Sequence, residues 1–451
     1  MTSKNLFFRH GIKAMLCLIA VVLTTLTSCK KESSDVSSLL ATVPSSAGAV
    51  VGVNLKTVLE KADCEVNGSS IKAGKELENW LASVKQPGSK GEMLRVFLNS
   101  DSGVDPQGMV AFIDAYSTYA TAMLADTDKF ISFVEEQTGG KFSEAEGGVK
   151  VCGNIAIYGA QMWISSNSTT IDAKAIKNYA TLSENQNFLT KNVSNPLVEM
   201  ESDVVTWGDI STLAKSFLSF GEMAQYNMVV GALFDNPVSM ALSVDFEKGK
   251  LKAKIKVLND KGETAKFLLP TKKIDADVVK GLGGTADVVV AANISKDFTK
   301  KVEKMVSSFG GGMFDSYLKP LACVDGTVAV AAGVRENGET PLSGIVQTDG
   351  NPTPEVMNFL SQFGSTKKEG NSVMFSKGKV SGDLNVEEMA SSLKGAWLGG
   401  QYSLSANSKN YKAAAMLLIP DGGGLRLEIQ VDGKDTSKNI LLNVLKDFSS
   451  R

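Results

Sequence analysis

Histidine is nearly missing from this chain. Among 451 residues there is one, His10, and it lies in an N-terminal segment that we expect to be removed. The remaining chain therefore excludes Ser-His-Asp and Cys-His catalysis, HExxH zinc sites and histidine general bases. Catalysis by carboxylate pairs, by lysine or by tyrosine remains possible, and so do metal sites with oxygen ligands. We identify no catalytic residue, no cofactor and no metal site in the sequence.

Cysteine is scarce as well, and the five cysteines form no CxxC pair. Cys17 lies in the apolar run of the N-terminal segment, and Cys29 follows that run. Cys64, Cys152 and Cys323 remain, an odd number that allows one disulfide at most within the chain. We favour three small buried residues, because free cysteine is among the most buried residue types.

An excess of positive charge is missing too. The 47 lysine and arginine residues fall to 44 when residues 1–28 are removed, against 49 acidic residues. This mild acidity argues against a nucleic-acid partner, which needs a basic surface. Beyond the N-terminal segment, no apolar run approaches the ~20 residues of a membrane-spanning helix.

The N-terminal segment carries the most specific signal in the chain. Basic residues precede an apolar run over residues 14–26, and the run ends in Leu26-Thr27-Ser28-Cys29. A basic start, a short apolar run and small residues before a cysteine are typical of a bacterial lipoprotein signal peptide. The sequence predicts removal of residues 1–28 and acylation of Cys29, with acyl chains as the membrane anchor. An uncleaved helical anchor is the alternative.

The chain just after Cys29 is polar. Residues 29–41 include Lys30-Lys31-Glu32-Ser33-Ser34-Asp35, which predicts a flexible tether between the anchor and the body. Lysines followed by an acid also resemble the surface-export signals of Bacteroidetes lipoproteins. A solvated linker is the alternative interpretation.

The body of the chain contains an internal repeat. Residues 46–55 align without a gap with residues 285–294, and each copy predicts a buried strand that ends at an asparagine, Asn54 or Asn293. We expect each asparagine to cap the helix that follows it. These helices are expected over residues 55–62 and 294–309.

Later segments recur in the same order in both halves. Each half continues with Val-Asp and a strand, a second strand, an amphipathic helix ended by glycine, and a hairpin of alternating strands. This order predicts an α+β fold with two similar halves by internal duplication, each a mostly antiparallel sheet with helices packed on it. We place the halves at residues 42–270 and 271–451. One continuous sheet across both halves is the alternative.

Several short sequences in a fixed order carry a family resemblance. They are the Ser-Cys lipobox with Lys30-Lys31, Val-Pro-Ser-Ser-Ala at 43–47, Val-x-Val-Asn-Leu-Lys at 51–56, Val104-Asp105, the Asp128-Lys-Phe helix start and Leu-Ser-Val-Asp-Phe-Glu-Lys-Gly-Lys at 242–250. In this order they resemble a family of Bacteroidetes lipoproteins, domain of unknown function 4836. The family has no assigned activity, so the resemblance implies a location and a fold type. The second half departs from the pattern, because it keeps the order but few identities.

Acidic pairs are the remaining source of chemistry. Neighbouring acids on a helix point in different directions, so they make poor glycosidase pairs. Asp126 and Asp128 lack the loop of an EF-hand calcium site and are expected at a helix start. The acidic pairs are Glu135-Glu136, Glu144 with Glu146, and Glu387-Glu388.

These observations predict a lipid-anchored protein of the bacterial cell envelope, an outer-membrane lipoprotein that faces the periplasm or the cell surface. Its expected partners are the membrane, through Cys29, and an envelope glycan, lipid or protein, with no nucleic acid. A non-enzymatic binding or scaffolding module is the main interpretation. A carboxylate-based envelope glycan hydrolase and a purely structural, self-associating lipoprotein are the alternatives.

Overall fold

The computed structural model describes part of the chain in detail. The described residues are 36–83, 98–114, 117–166, 170–191, 202–210, 230–308, 319–335 and 338–449. The predicted signal peptide, Cys29 and residues 30–35 of the predicted tether lie outside these ranges, as does a helix that the sequence predicts over residues 211–220. Residues 36–40, which the tether prediction included, form a helix with Val36, Leu39 and Leu40 buried, so the prediction of a flexible tether is wrong for them.

Helices in the described ranges are short, and most follow directly after a polar residue. In chain order they are α1 (Val36–Leu40), α2 (Leu55–Lys61), α3 (Lys75–Ser83), α4 (Thr127–Thr138), α5 (Ala173–Ala180), α6 (Phe188–Lys191), α7 (Ala276–Lys280), α8 (Lys296–Ser308), α9 (Pro354–Ser361), α10 (Val386–Leu393) and α11 (Ile440–Ser449).

Strands make up much of the rest. In chain order they are β1 (Ala49–Val53), β2 (Glu65–Asn67), β3 (Ser70–Lys72), β4 (Val104–Asp114), β5 (Ser117–Leu124), β6 (Ser143–Glu144), β7 (Lys150–Cys152), β8 (Ile155–Tyr158), β9 (Gln161–Ser165), β10 (Val204–Asp209), β11 (Ser239–Glu247), β12 (Lys250–Leu258), β13 (Thr285–Ala286), β14 (Val288–Ile294), β15 (Val324–Ala332), β16 (Leu342–Thr348), β17 (Ser365–Glu369), β18 (Ser372–Lys377), β19 (Leu384–Asn385), β20 (Leu398–Ser403), β21 (Tyr411–Asp421) and β22 (Gly424–Gly433).

The chain forms two compact units. Unit 1 takes its described residues from Met1–Phe217, Ser239–Lys248 and Ser437–Arg451, and unit 2 takes them from Leu218–Val238 and Gly249–Thr436. The predicted halves, 42–270 and 271–451, were drawn from the repeat in the sequence. They differ from these compact units and stay a prediction. In the folded chain β12 belongs to unit 2 and α11 belongs to unit 1.

The sheet of unit 1 is built around β1. Its strands pair antiparallel in the order β9-β5-β4-β1-β10-β11, and the short strands β6, β7 and β8 continue from β9. All five residues of β1 are buried. A continuous apolar run of this length is typical of a strand covered on both faces, as the sequence predicted.

The sheet of unit 2 is built around β14 in the same manner. Its strands pair antiparallel in the order β17-β18-β16-β15-β14-β20-β21-β22-β12. Val289 and Ala291 of β14 are buried in a core cluster to which residues of α7 and α10 contribute. The predicted α+β fold with a mostly antiparallel sheet and packed helices is thereby confirmed.

The two units also share an irregularity. β1 lies between β4 and the later strand β10, β14 lies between β15 and the later strand β20, and each of the two is followed by a helix. In unit 1 the strand beside β1 shifts register between Val104 and Met109. In unit 2 the strand beside β14 shifts register between Val324 and Val328. Both shifts begin at the valine of a Val-Asp pair.

Both predicted asparagine caps are wrong. Asn54 makes no side-chain capping bond to α2, and its Nδ2 donates to the carbonyl oxygen of Ser202 at 2.9 Å. Asn293 lies inside β14, and its Nδ2 donates to the carbonyl oxygen of Lys273 at 2.8 Å. The Ser295 hydroxyl instead accepts a backbone N–H in the first turn of α8, at 3.3 Å. The amides thus tie the strand ends to neighbouring segments.

Helix α4 follows the sequence prediction closely. The Asp126 carboxylate accepts the backbone N–H of Lys129 at 3.0 Å, which satisfies a donor that the helix itself leaves unpaired. Gly139 ends the helix with φ +68°, a left-handed conformation that glycine adopts without steric cost. The predicted role of Asp126 as a helix cap is confirmed.

A largely buried ion pair joins distant segments of unit 1. Lys61, the last residue of α2, places its Nζ 2.6 Å from Oδ1 of Asp203, just before β10. The Asp203 side chain is 4% exposed and the Lys61 side chain 29%. Asp203 Oδ2 also accepts the backbone N–H of Phe246 in β11 at 2.6 Å. One carboxylate therefore holds a helix and two strand segments together.

We predict that Asp203→Ala lowers the free energy of unfolding by about 3 kcal/mol, because it leaves a poorly solvated ammonium and a buried N–H without their partner. Urea unfolding followed by circular dichroism measures the change. Asp277→Ala is the matched control, since its pair with Lys280 has a carboxylate that is 86% exposed. The control should leave the unfolding midpoint nearly unchanged. Equal midpoints for both variants would contradict the assignment.

Candidate functional site

The described acidic pairs lie in ordinary structural roles. Glu135 binds Lys141 and the backbone N–H of Phe142, and these hydrogen bonds hold the pKa of Glu135 below its ordinary range. Glu387 and Glu388 occupy the first turn of α10, where carboxylates are favoured by the helix dipole. Within the described ranges, no group of three or more His, Cys, Asp or Glu residues is placed to hold a metal ion.

The three cysteines of the body are free and buried, as predicted. Burial raises the pKa of the Cys64 thiol to about 11. Its sulfur accepts the backbone N–H of Gly74 at 3.5 Å. A protonated, enclosed thiol is a poor nucleophile, so Cys64 has the properties of a packing residue.

An aromatic cluster in unit 1 contains the most strongly perturbed phenol of the described chain. Tyr179 on α5 lies against Phe112, Tyr119 and Trp163 of the sheet, with ring centroids 5.2–6.0 Å away. Its hydroxyl donates to Oδ2 of Asp114 at 2.8 Å. Burial first, and then the Asp114 carboxylate, raise the pKa of Tyr179. A phenol that keeps its proton is not a general base, so the cluster serves packing.

The candidate site lies on the sheet of unit 2, on the side away from α7 and α10. We call it the open face and define it as three rows of cross-strand neighbours on β15, β14, β20, β21 and β22. The rows are Val330, Val290, Gly400, Met416 and Ile429; Ala332, Val288, Tyr402, Ala414 and Val431; and Val328, Ala292, Leu398, Leu418 and Leu427. Exposure along the rows is uneven: Ala414 is buried, and Val328 and Val330 also pack against a core cluster to which α9 contributes.

Strand alternation creates the open face. Side chains of a strand point to opposite faces in turn, and directly paired residues share a face. On β14, Val289 and Ala291 are 0% and 2% exposed beneath the helices, whereas Val288 and Val290 are 37% and 44% exposed. Met416 on β21 is 53% exposed. The prediction of a buried strand for this copy of the repeat is therefore wrong for one of its faces.

The open face is apolar throughout. Of its 15 positions, Tyr402 alone has a polar side-chain atom, and none has a charge. Tyr402 is half-buried, and this burial raises its pKa. Surface patches of this composition mark interaction sites on soluble proteins more often than single exposed apolar residues do.

The other side of β12 and β22 carries the charges. Lys256 Nζ lies 3.0 Å from Oδ2 of Asp421, and Arg426 binds both Asp421 and Glu428, at 3.4 and 2.8 Å. Burial of Asp421 raises its pKa, but Lys256 and Arg426 outweigh it and hold the pKa below its usual value. Cations and carboxylates pair with one another there, so this side offers less to an external ligand than the open face.

The structure brings together residues that the sequence analysis did not single out. Val290 and Met416 lie two strands apart in the sheet and 126 positions apart in the sequence, and an apolar residue in a strand gives no signal of its own exposure. The predicted lipidation residue, Cys29, lies outside the described ranges. In the described residues, no helix is both long and apolar enough to cross a membrane.

Comparisons with known proteins add little. No family model matches the chain, and no curated protein matches it. A solved structure described as "Structure of crystal form III of TP0453" is 9% identical, with a TM-score of 0.25 over 78% of this chain and 96% of that chain. "Structure of crystal form I of TP0453" is 10% identical, with a TM-score of 0.23 over 81% of this chain and 100% of that one. Similarity this low supports no statement about fold or function.

We predict that the native body resists thiol reagents. With the chain from Ser33 onward, fewer than one of the three thiols should react with a chromogenic disulfide reagent at pH 8, because all three are buried and Cys64 stays protonated. All three should react in denaturing urea, which is the control. Fast native labelling of Cys64, identified by peptide mass spectrometry, would contradict its burial.

Proposed function

We propose that the chain is a lipid-anchored protein of the bacterial cell envelope that docks a partner through the open face of unit 2 and performs no catalysis. The observation that supports docking is the open face, with Val290 and Met416 at its centre. Water-exposed apolar positions on one sheet face cost free energy until a partner covers them.

The anchor rests on the sequence. The apolar run over residues 14–26 and the small residues before Cys29 support a lipoprotein signal peptide, and we place the protein in the outer membrane. Val36, the start of α1, lies seven positions after Cys29. At ~3.5 Å per extended residue, this tether would keep the start of the body within about 25 Å of the anchor.

We also infer that the two units arose by internal duplication, as members of the lipoprotein family that the sequence resembles. Three observations support the inference. The strand order around β1 matches that around β14, the register shifts follow matching valines, and the backbone N–H of Asn54 and that of Asn293 both bond to the residue preceding the paired strand, Asp203 and Trp397, at 2.9 Å.

A carboxylate hydrolase gains no support from the described residues. A glycosidase needs two carboxyl groups about 5–10 Å apart with access to substrate. Of the described acids singled out in the sequence, Asp126 caps a helix, Glu387 and Glu388 occupy a helix start, and Glu135 forms an ion pair. Docking is therefore the function that the geometry supports best.

The anchor is tested by Cys29→Ala in the full chain. We expect loss of labelling by a palmitate analogue and release of the protein from the membrane fraction, because the acyl chains provide the attachment. Cys17→Ala is the matched control, since Cys17 lies in the segment that is removed, and its labelling should equal that of the wild type. Unchanged labelling of Cys29→Ala would refute the anchor.

To test docking, the chain from Ser33, which contains every described element, is immobilised. It is then exposed to an outer-membrane extract. We expect wild type to retain a specific component and Met416→Lys to lose it, because a charge at the centre of an apolar contact must be desolvated. Leu268→Lys is the control, since Leu268 is 37% exposed beside the β21–β22 turn, where its neighbour Phe267 binds Gly423. Equal retention by Met416→Lys would contradict docking through the open face.

A further inference from the structure

We infer that the partner of the open face is a second copy of this chain, packed sheet against sheet. The inference rests on the proposed function, in which the open face is a docking surface. It names the occupant of that surface, so that the protein pairs with itself.

The size of the open face fits a pair of copies. Five strands ~4.8 Å apart and three rows ~6.8 Å apart span about 500 Å², an upper bound because Ala414 is buried and Val328 and Val330 also pack against the core beside α9. Two such faces in contact bury at most about 1,000 Å², which lies in the range of weak, transient interfaces. The patch is also at the upper end of what single monomers leave exposed, about 300–600 Å². A weak, reversible dimer follows from these areas.

The absence of charge makes the open face compatible with a copy of itself. A two-fold interface brings identical patches together, so any charge on the patch would meet a like charge near the axis. The open face carries none among its 15 positions. A face without charge is compatible with itself, and two sheets pack with their inner side chains interdigitated about 10 Å apart.

The relief of the open face also suits self-packing. Gly400 has no side chain and separates Val290 from Met416, the two most exposed members of the face. A Cβ at Gly400 would lie 3.1 Å from Cγ2 of Val290, so the depression there is shallow and lies toward Met416. Methionine is unbranched and adapts to such gaps. Met416 of the partner subunit can enter the depression beside Gly400 of the first subunit. By symmetry, Met416 of the first subunit can enter the same depression on the partner.

Lipid is a poorer occupant. Small-molecule sites enclose most of their ligand, whereas one face of a sheet covers an acyl chain from a single side. Membrane surfaces attract basic residues beside apolar ones, and the open face has no lysine or arginine. A second apolar sheet covers all three rows at once.

Unit 1 shows what the same strand position is like when it is covered. Val51 in β1 aligns with Val290 in the repeat, and both lie on a strand that is paired on both sides. Val51 is 8% exposed, against 44% for Val290. The valine side chain at this position is thus buried in unit 1 and exposed in unit 2, where a partner can cover it. Short tethers on one membrane would raise the effective concentration of copies and support a weak contact.

Sedimentation equilibrium of the chain from Ser33, without detergent and over a concentration series, tests the inference. We expect wild type to approach twice the monomer mass, and Met416→Lys to weaken the dimer at least 100-fold. Leu268→Lys should dimerise like wild type. Circular dichroism spectra of all three proteins should coincide, and Val290→Thr, a milder change, replaces Met416→Lys if that variant does not fold.

A wild-type mass equal to the monomer at every concentration would overturn the inference, and so would a Met416→Lys dimer as strong as that of wild type. Native mass spectra that show monomers carrying an acyl lipid would also overturn it. If wild type is a monomer while Met416→Lys still loses retention in the extract experiment, the second copy is wrong and the docking surface stands. If both effects are missing, both proposals fail.

Discussion

The two-residue alternation of β14 and its neighbours is the constraint on which the account depends. Once Val289 and Ala291 are fixed beneath the helices, Val288 and Val290 must point the other way. A one-residue slip would exchange the two sets and destroy the core, so the register is strongly specified. The same packing that stabilises unit 2 therefore exposes an apolar face, and function has to be sought in what covers it.

Much of the architecture was predictable from local chemistry. The capping of α4 by Asp126, its end at Gly139 and the alternating strands of the hairpins depend on residues close together in the sequence, and the structure contains them. The open face was not predictable in this way. Six of the seven residues of β14 are apolar, and such a strand looks the same whether one face or both are covered, because the cover comes from other elements, among them α10 far away in the chain.

Long-range polar contacts explain the other differences. Asn54 follows a strand, where an N-cap is a reasonable expectation, but a carbonyl of Ser202 lies within reach and takes its amide. Lys61 and Asp203 are 142 positions apart, and no sequence pattern connects them. Interactions of this kind depend on which strands lie side by side, so a single sequence does not predict the caps and ion pairs that join distant segments.

If copies pair through the open face, this face is accessible in the single chain and becomes covered when copies associate. The rate of Met416 oxidation by dilute hydrogen peroxide, followed by peptide mass spectrometry across protein concentrations, tests it most directly. Met109, Met162 and Met389 are at most 2% exposed and serve as internal references. The account predicts fast oxidation of Met416 in dilute protein and slower oxidation as concentration rises, with the references slow throughout. Slow oxidation of Met416 in dilute protein, or a rate that does not depend on concentration, would contradict it.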